Sequence, residues 1–370
     1  MRIGIEAQRI FRLNKHGMDY VVLQEIKELQ KIDTLNEYFI FVKDGPDRCL
    51  GETANFHIVE INAPSYPLWE QWALPKAARR CKVDILHCTS NTAPIRCSIP
   101  LVLTLHDIIF LEPRDRQNKS LYQNIGFEYR RLVVPKIIDK CIKIITVSNY
   151  EKDNIVSKFS LPASKIEMIY NGYNKWFQPI DNVKEVCSKY IRHTGYYLFL
   201  GNTDPKKNTE RTLIAYSRYA AQGGKRMLLV ADLNHTVIDG ILKRNNIEKV
   251  GHRIITPGYI RNSDLPYIYN GAFAFLYTSL RESFGIPLLE AMSCGTPVIT
   301  GDRSALPEIA ADGAVLVDPE DPSAIAKAML RLEKDNGYRE EIIRRGLRRC
   351  NAFSWENTAR NLLNLYNTLG

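Results

Sequence analysis

The sequence predicts an α/β protein built on two doubly wound, parallel β-sheets. Short apolar segments alternate with amphipathic segments along the chain, which is the pattern of strands connected by helices. Many of the apolar segments are continuous runs of Ile, Leu and Val, as strands buried on both faces require. The length of 370 residues is enough for two domains of ordinary size.

The predicted strands fall into two sets. The first set is 2–6, 38–42, 57–61, 84–87, 101–105 and 143–147, and the second is 197–200, 227–230, 254–256, 272–277, 297–300 and 315–317. Apolar residues with helical spacing lie between them, at 22–29, 212–219, 324–332 and 355–369. The segment 172–185 has no clear period, so we expect it to link domains over 1–172 and 173–352.

Composition and charge exclude several classes of protein. No segment approaches the run of about 18 apolar residues that a membrane helix needs, and the first residues read as a strand rather than a signal peptide, so we expect a cytoplasmic protein. The 8 cysteines and 7 histidines lack the spacing of metal or redox sites. The net charge of +9 comes without a nucleic-acid motif, which favours phosphate groups or lipid headgroups as partners over nucleic acid.

The segment 281–292 contains the clearest chemical motif. It follows the predicted strand 272–277, and Pro287 suits the first turn of a helix, so the backbone N–H groups of 284–286 should lie at a helix N-terminus. Such groups bind phosphate or the polar edge of a sugar, and Gly285 allows a ligand to approach the backbone.

Two carboxylates flank this helix start. Glu282 lies in the preceding loop and Glu290 about one turn inside the helix. Carboxylates there can accept hydrogen bonds from sugar or ribose hydroxyls. From these residues alone, a solvated loop glutamate and a helix-surface glutamate are equally consistent.

Two other loops carry candidate residues. Lys206 and Lys207 follow a predicted strand and a turn at Gly201, and Asn208 after them is expected to cap a helix. A lysine there can neutralise charge on a leaving nucleoside diphosphate, although a solvated lysine pair also fits the residues alone. His106 follows the strand 101–105 and should lie at its carboxyl end, as a ligand or as a structural histidine. Its neighbour Asp107 could orient it or cap the next turn.

Taken in order, the motifs resemble the retaining GT-B glycosyltransferases of family 4. The segments that carry this resemblance are 105–107, 146–148, 171–172, 200–208, 282–292, 293–300, 306–309 and 353–355. The resemblance implies two Rossmann-like domains that face a central cleft. It implies acceptor binding by 1–172, nucleotide-sugar binding by 173–352, and a last helix over 353–370 that packs back on the first domain.

The resemblance also implies roles for single residues. Glu282 would contact the transferred sugar, Glu290 the ribose, Lys207 the diphosphate and His106 the donor sugar. Further donor-binding positions would be Gly17, Gly201, Lys206, Phe284 and Gly285, with Gly17 in the family's glycine loop and Lys206 where the most similar subgroup has Arg. No Asp-x-Asp motif follows a strand, so the expected reaction uses no metal and no cofactor besides the nucleotide-sugar donor.

The expected function is retaining transfer of a hexosyl group to a hydroxyl of a glycan or lipid-linked saccharide in bacterial surface polysaccharide synthesis. Candidate acceptor regions are 69–72 and the basic amphipathic stretch 111–143. That stretch could contact anionic lipids at the inner face of the cell membrane, or it could pack on its own sheet with its basic face in solvent. A sugar-nucleotide epimerase and a non-catalytic subunit on the same scaffold are the alternatives. The joint presence of His106, Lys207, Glu282 and Glu290 favours the transferase.

Overall fold

The computed structural model describes residues 1–112 and 121–370, with side chains in the second range from residue 124 onward. Its two compact units are residues 1–172 together with 355–370, and residues 173–354. Part of the predicted basic stretch lies outside the described residues, namely Arg114, Asp115, Arg116 and Lys119 and the side chains of Leu121 and Tyr122.

The first unit contains a parallel sheet. Its strands are β1 Arg2–Glu6, β2 Glu37–Val42, β3 Phe56–Glu60, β4 Ile85–Cys88, β5 Leu101–Thr104, β6 Cys141–Thr146 and β7 Ile166–Met168. Their order is β3-β2-β1-β4-β5-β6-β7, and the direction of strand addition reverses between β1 and β4. The strand β7 was not predicted, because a three-residue segment with a central Glu167 gives no apolar run.

Helices cover both faces of this sheet. They are α1 Gly17–Ile32, α2 Tyr66–Leu68, α3 Leu74–Arg80, α4 Leu121–Ile137 and α5 Asn149–Phe159, and a π-helical turn, Trp69–Ala73, joins α2 to α3. Successive residues of β2 alternate between the two cores, since strand side chains point to opposite faces. Tyr38 and Ile40 pack with one core, while Phe39 and Phe41 pack with the other.

The second unit repeats the same topology with fewer strands. Its strands are β8 Tyr196–Leu200, β9 Leu228–Ala231, β10 Ile254–Gly258, β11 Ala272–Tyr277, β12 Val298–Gly301 and β13 Val315–Val317. They are parallel in the order β10-β9-β8-β11-β12-β13, so the reversal falls between β8 and β11. The predicted α/β class with two parallel sheets is therefore confirmed.

The helices of the second unit precede a last helix that belongs to the first unit. They are α6 Lys184–Cys187, α7 Thr209–Ala221, α8 His235–Arg244, α9 Leu265–Gly271, α10 Ile286–Ser293, α11 Leu306–Ala310, α12 Pro322–Lys334 and α13 Asn336–Cys350. The last helix, α14 Trp355–Asn367, buries Leu362 and Tyr366 against the core that α1 also covers. Its apolar residues recur every three or four positions, as a helix with one buried face requires.

Candidate functional site

The candidate site lies at the carboxyl edge of the second sheet. In open parallel sheets, ligands bind outside the carboxyl ends of the strands at the point where the strand order reverses. That point lies between β8 and β11 in this unit. The loop after β8 carries Lys207, and the loop after β11 carries Glu282.

The loop after β8 begins at Gly201. A Cβ atom there would lie 2.9 Å from the Ala231 carbonyl oxygen and 2.6 Å from Leu233 Cδ1, so the neighbouring backbone leaves no room for a side chain. Asp204 then accepts a hydrogen bond from the Lys206 amide at 3.2 Å, at the start of the 3₁₀ helix Pro205–Lys207. This cap fixes the backbone that carries both lysines.

Asn208 has a different role from the expected helix cap. It occupies the N-cap position of α7 with φ of +61°, but its side chain makes no capping hydrogen bond to that helix. Instead, its amide group donates to the carbonyl oxygens of Thr278 at 3.0 Å and Pro319 at 2.6 Å. The side chain therefore ties the loop after β8 to two other segments of the edge.

Backbone groups join three loops of this edge. The amide of Leu280 donates to the carbonyl of Lys206 at 2.7 Å. The amide of Glu282 donates to Ser304 Oγ at 3.1 Å, and the Glu282 carbonyl accepts from Ala305 N at 3.3 Å. These bonds fix the position of Glu282 relative to the lysine loop.

Lys207 and Glu282 form an ion pair at the switch point. Lys207 Nζ lies 2.6 Å from Glu282 Oε1, and the two side chains are 28% and 14% exposed. The same ammonium lies 5.8 Å from the centroid of the Tyr277 ring. The pair is partly open to solvent, so an incoming anion could compete with Glu282 for the lysine.

The helix α10 begins next to this pair. Its N-cap, Gly285, has φ of +110°, a conformation that favours glycine, and Pro287 occupies the first turn. A Cβ atom at 285 would also meet Leu306 Cδ2 at 3.3 Å. Phe284 is buried, and its ring packs edge-on against Phe353 at 5.8 Å. The amides that open this helix are thus held by a tightly packed turn.

Glu290 lies one turn into α10 and is partly buried. Burial raises the pKa of Glu290 to about 8, because the charged carboxylate loses its hydration. At neutral pH its carboxyl group is therefore mostly protonated in the ligand-free protein. A ligand that donates hydrogen bonds to this group would favour the charged form.

His106 belongs to the first unit and directly follows β5 there. Its Nε2 lies 3.0 Å from the Thr89 carbonyl oxygen, and its amide donates to Asn91 Oδ1 at 2.6 Å. A carbonyl only accepts, so Nε2 carries the proton and Nδ1 is left as an acceptor. Burial lowers the pKa of His106, which keeps the ring neutral. Asp107 caps the following turn, since it accepts from the Ile109 amide at 3.0 Å.

The other predicted site residues lie partly in the first unit and partly in the second. Gly17 opens α1 in the first unit, and a Cβ atom there would meet nothing within 4 Å. The second unit brings together Gly201, Lys206, Lys207, Glu282, Phe284 and Gly285 on adjoining segments, with Glu290 one turn further on. Sequence reasoning missed Ser304, which holds Glu282 in place. The one feature of the sequence that could have identified Ser304 is its position shortly after the predicted strand 297–300.

Residues 1–112 and 121–370 contain neither a cluster of metal ligands nor a helix able to cross a membrane. In those ranges no group of three His, Cys, Asp or Glu side chains is arranged to share a metal ion. Among the same residues, no helix combines the length and hydropathy needed to cross a membrane.

Comparisons with known proteins agree that the chain is similar to glycosyltransferases. A family model described as "Glycosyl transferases group 1" matches residues 192–349, and one described as "Glycosyltransferase Family 4" matches residues 16–175. O-antigen chain mannosyltransferase B of Escherichia coli is 32% identical over 84% of this chain and 80% of its own length. O-antigen chain mannosyltransferase RfbU of Salmonella typhimurium is 27% identical over 64% of this chain and 63% of its own.

Solved structures are similar over the full length. Sucrose-phosphate synthase from Thermosynechococcus elongatus has a TM-score of 0.76 at 20% identity, covering 100% of this chain and 98% of that one. The Anabaena protein HepE in complex with UDP-glucose has a TM-score of 0.74 at 15% identity, covering 100% of both chains. At such identities the likeness concerns the fold.

Proposed function

This chain belongs to glycosyltransferase family 4, group 1 type, with the GT-B fold, and we propose that it transfers a hexosyl group with retention from a nucleoside diphosphate-sugar. The observation that carries the proposal is the Lys207–Glu282 pair at the switch point of the second sheet. A diphosphate needs a cation, and a transferred sugar needs a hydrogen-bond acceptor. This pair offers both within 2.6 Å.

Lys207 stabilises the leaving group in this mechanism. The bond from the anomeric carbon to the diphosphate oxygen breaks, and negative charge develops on that oxygen. An ammonium group fixed beside it lowers the barrier, because its stabilisation grows as the charge develops. Glu282, released from the ion pair by the diphosphate, accepts hydrogen bonds from hydroxyls of the transferred sugar.

The other proposed donor contacts come from the same edge of the second unit and from two residues of the first unit, His106 and Gly17. The amides of Phe284 and Gly285, at the start of α10, bind the diphosphate and sugar oxygens. Glu290 accepts from the ribose hydroxyls. The unprotonated Nδ1 of His106 accepts from a hydroxyl of the donor sugar, and Gly17, Gly201 and Lys206 complete the donor contacts.

Retention of configuration is proposed to follow same-face attack. The acceptor oxygen bonds to the anomeric carbon on the face that the diphosphate leaves, and the acceptor proton passes to the leaving diphosphate oxygen. Lys207 and the α10 amides supply the charge stabilisation, so the proposed reaction uses no divalent metal and no further cofactor.

The acceptor is proposed to be a glycan or lipid-linked saccharide of a bacterial surface polysaccharide. Two relatives bear the name O-antigen chain mannosyltransferase, which makes mannose the first sugar to test. We also propose that the first unit makes peripheral contact with the anionic inner face of the cell membrane, because α4 carries exposed Ile125 and Leu132 beside basic side chains.

A donor screen tests this function. The protein is incubated with GDP-mannose, UDP-glucose, UDP-galactose or dTDP-rhamnose together with mannose oligosaccharides, with and without EDTA. We expect one donor to yield a longer saccharide whose new anomeric configuration, read by NMR, matches the donor. Isomerised donor without transfer would indicate the epimerase, and binding without turnover beside a competent acceptor would indicate a non-catalytic subunit.

A further inference from the structure

Tyr277 ends β11 and lies at the carboxyl edge of the second sheet, where ligands of parallel sheets bind. The residue is only 6% exposed. Its carbonyl accepts from the Thr300 hydroxyl at 2.8 Å, and its ring stacks on that of Phe275, on the same face of the strand, with the centroids 5.4 Å apart. These contacts give the ring a fixed position next to the candidate site.

The ring of Tyr277 lies beside two parts of the candidate donor site. Lys207 Nζ lies 5.8 Å from the ring centroid, which is within the range of a cation–π interaction. On the side of α10, a Cβ atom at Gly285, the N-cap of that helix, would lie 3.4 Å from Tyr277 Cε1. One buried ring therefore supports both the lysine and the turn that opens the helix.

The hydroxyl of Tyr277 hydrogen-bonds to the carboxylate of Glu282. Burial raises the pKa of Tyr277 well above its usual value, and the charge of Glu282 and this hydrogen bond raise it further. The hydroxyl therefore keeps its proton and acts as the donor, since a carboxylate only accepts. The carboxylate of Glu282 is thus shared between Lys207, at 2.6 Å, and Tyr277.

This sharing matters when a ligand takes the lysine. In the proposed mechanism a diphosphate replaces Glu282 at Lys207, so the carboxylate loses its cation. The Glu282 side chain is 14% exposed, so water can replace that partner only in part, and a poorly hydrated carboxylate without a donor is costly. The Tyr277 hydroxyl is a neutral donor, so it can hold the carboxylate without competing for the ammonium.

We propose that Tyr277 is the positioning residue that holds Glu282 in place when a diphosphate takes Lys207. The proposal rests on the proposed function, because it adds a residue to the same donor site. The alternative is a purely structural tyrosine, whose ring fills the core and whose hydroxyl affects stability alone. Tyr197 provides the comparison, since it lies on the neighbouring strand β8, is fully buried, and donates its hydroxyl to the Met329 carbonyl of α12 at 2.7 Å.

Titration calorimetry with GDP and with UDP tests this role in the wild type, Tyr277→Phe and the matched control Tyr197→Phe. We expect Tyr277→Phe to weaken nucleotide binding by about tenfold. The reason is that the hydroxyl shares Glu282 with Lys207 in the free protein but holds it without the lysine in the bound protein. Tyr197→Phe should bind like the wild type. Wild-type affinity in Tyr277→Phe overturns the proposal.

Removing the charge of Glu282 separates positioning from packing. Glu282→Gln leaves no carboxylate to hold, so in that background Tyr277→Phe should change nucleotide affinity by less than about twofold. A ring that only packs would cause the same loss in both backgrounds, because the effects of independent sites add. That additive result overturns the positioning role even where Tyr277→Phe alone weakens binding.

Urea denaturation of the ligand-free protein tests the contact between Tyr277 and Glu282 without any nucleotide. The midpoint shift of the double variant Tyr277→Phe/Glu282→Gln should be smaller than the sum of the single shifts, as for side chains in contact. Additive shifts overturn the proposal, whether or not a nucleotide binds. Coupled shifts in a protein that binds neither GDP nor UDP overturn the proposed function instead, and the role of Tyr277 with it.

Discussion

The two sheets share one strand order but differ at their switch points. In the second unit, Lys207 and Glu282 face each other there and remain 28% and 14% exposed. In the first unit, the corresponding residues are Glu6, which ends β1, and Thr89, which follows β4, and both are buried. The Glu6 carboxylate accepts from the Gln8 amide at 3.1 Å and the Thr89 amide at 3.2 Å. The Thr89 hydroxyl donates to the Glu6 backbone carbonyl at 2.7 Å and lies 3.1 Å from the carboxylate.

The two edges differ in how far their charged side chains are enclosed by groups of the protein. The carboxylate of Glu6 is satisfied inside the protein and offers nothing to a ligand. Lys207 and Glu282 pair with each other beside Tyr277 and stay partly exposed, and in the proposed mechanism a bound diphosphate takes the place of Glu282. If the proposed function is correct, the same topology serves two roles, and the choice between them depends on side chains at the strand ends rather than on the fold.

Replacing Lys207 should have the largest effect. With a donor and acceptor established, Lys207→Ala is expected to lower kcat by about 10²- to 10³-fold, as loss of one preorganised charge contact does. Glu282→Ala should have an effect of the same order, since it removes the proposed sugar contact. Steady-state kinetics measure both, and circular dichroism should show an intact fold.

Lys249→Ala is the matched control for the lysine change. Lys249 is an exposed lysine of the same unit, in the 3₁₀ helix Glu248–Arg253, so its loss changes the net charge equally. We expect wild-type turnover from this variant. Near-normal turnover in both Lys207→Ala and Glu282→Ala would remove the basis for the donor site.

Changing the switch point of the first sheet should affect stability instead. Glu6→Gln places an amide where two backbone N–H groups now donate to the two oxygens of a carboxylate, so one buried donor loses its partner. We expect a loss of about 1–3 kcal/mol in the free energy of unfolding, measured by urea denaturation. GDP affinity should stay at the wild-type value. A large loss of GDP affinity at unchanged stability would reverse the comparison.

A glycine pair tests the turn that opens α10. Gly285→Ala forces an alanine into φ of +110° and against Leu306, which should cost about 1–2 kcal/mol of stability and weaken GDP binding. Gly240→Ala is the control, because Gly240 lies inside α8 with only Arg244 Nη1 at 3.9 Å. There alanine should be neutral or stabilising by up to about 1 kcal/mol. Equal thermal shifts in the two variants would contradict the special role of Gly285.

Sequence patterns predicted most of the framework. Strands such as Ala272–Tyr277 and Val315–Val317 match their predicted bounds, because continuous apolar runs mark buried parallel strands. The short strand β7 was not predicted, because three residues with a charged residue at the centre give no continuous apolar run. The last helix was found from its apolar spacing, although its end lies at Asn367 rather than at 369.

The site was less accessible to sequence reasoning. Lys207 and Glu282 are 75 positions apart, and only the strand order brings their loops together. The bonds from Asn208 to two distant carbonyls depend on tertiary contacts that local propensity does not encode. The π-helical turn was not predicted, because Trp69 and Trp72, three positions apart, fit one face of an ordinary α-helix equally well.

The smallest predicted effect concerns Glu290 and pH. Its pKa of about 8 in the ligand-free protein is raised by burial, so folding favours the protonated form. Ribose hydroxyls that donate to the carboxylate should lower that pKa, and binding then releases a proton. GDP affinity is therefore expected to rise with pH up to about 8, by at most about tenfold per unit, and to level off above it.

Calorimetry with GDP from pH 6 to 9 measures this slope in wild type and Glu290→Gln. The terminal phosphate of GDP ionises equally in both titrations, so the difference between the two profiles isolates Glu290. Unfolding experiments would not isolate the contribution of Glu290, because burial also raises the pKa of Glu25 in α1 to about 8. Each of these two carboxyls stabilises the fold fully below its unfolded pKa and loses that contribution as pH rises through about 8. Identical slopes in the two proteins would mean that Glu290 does not exchange its proton for the ribose.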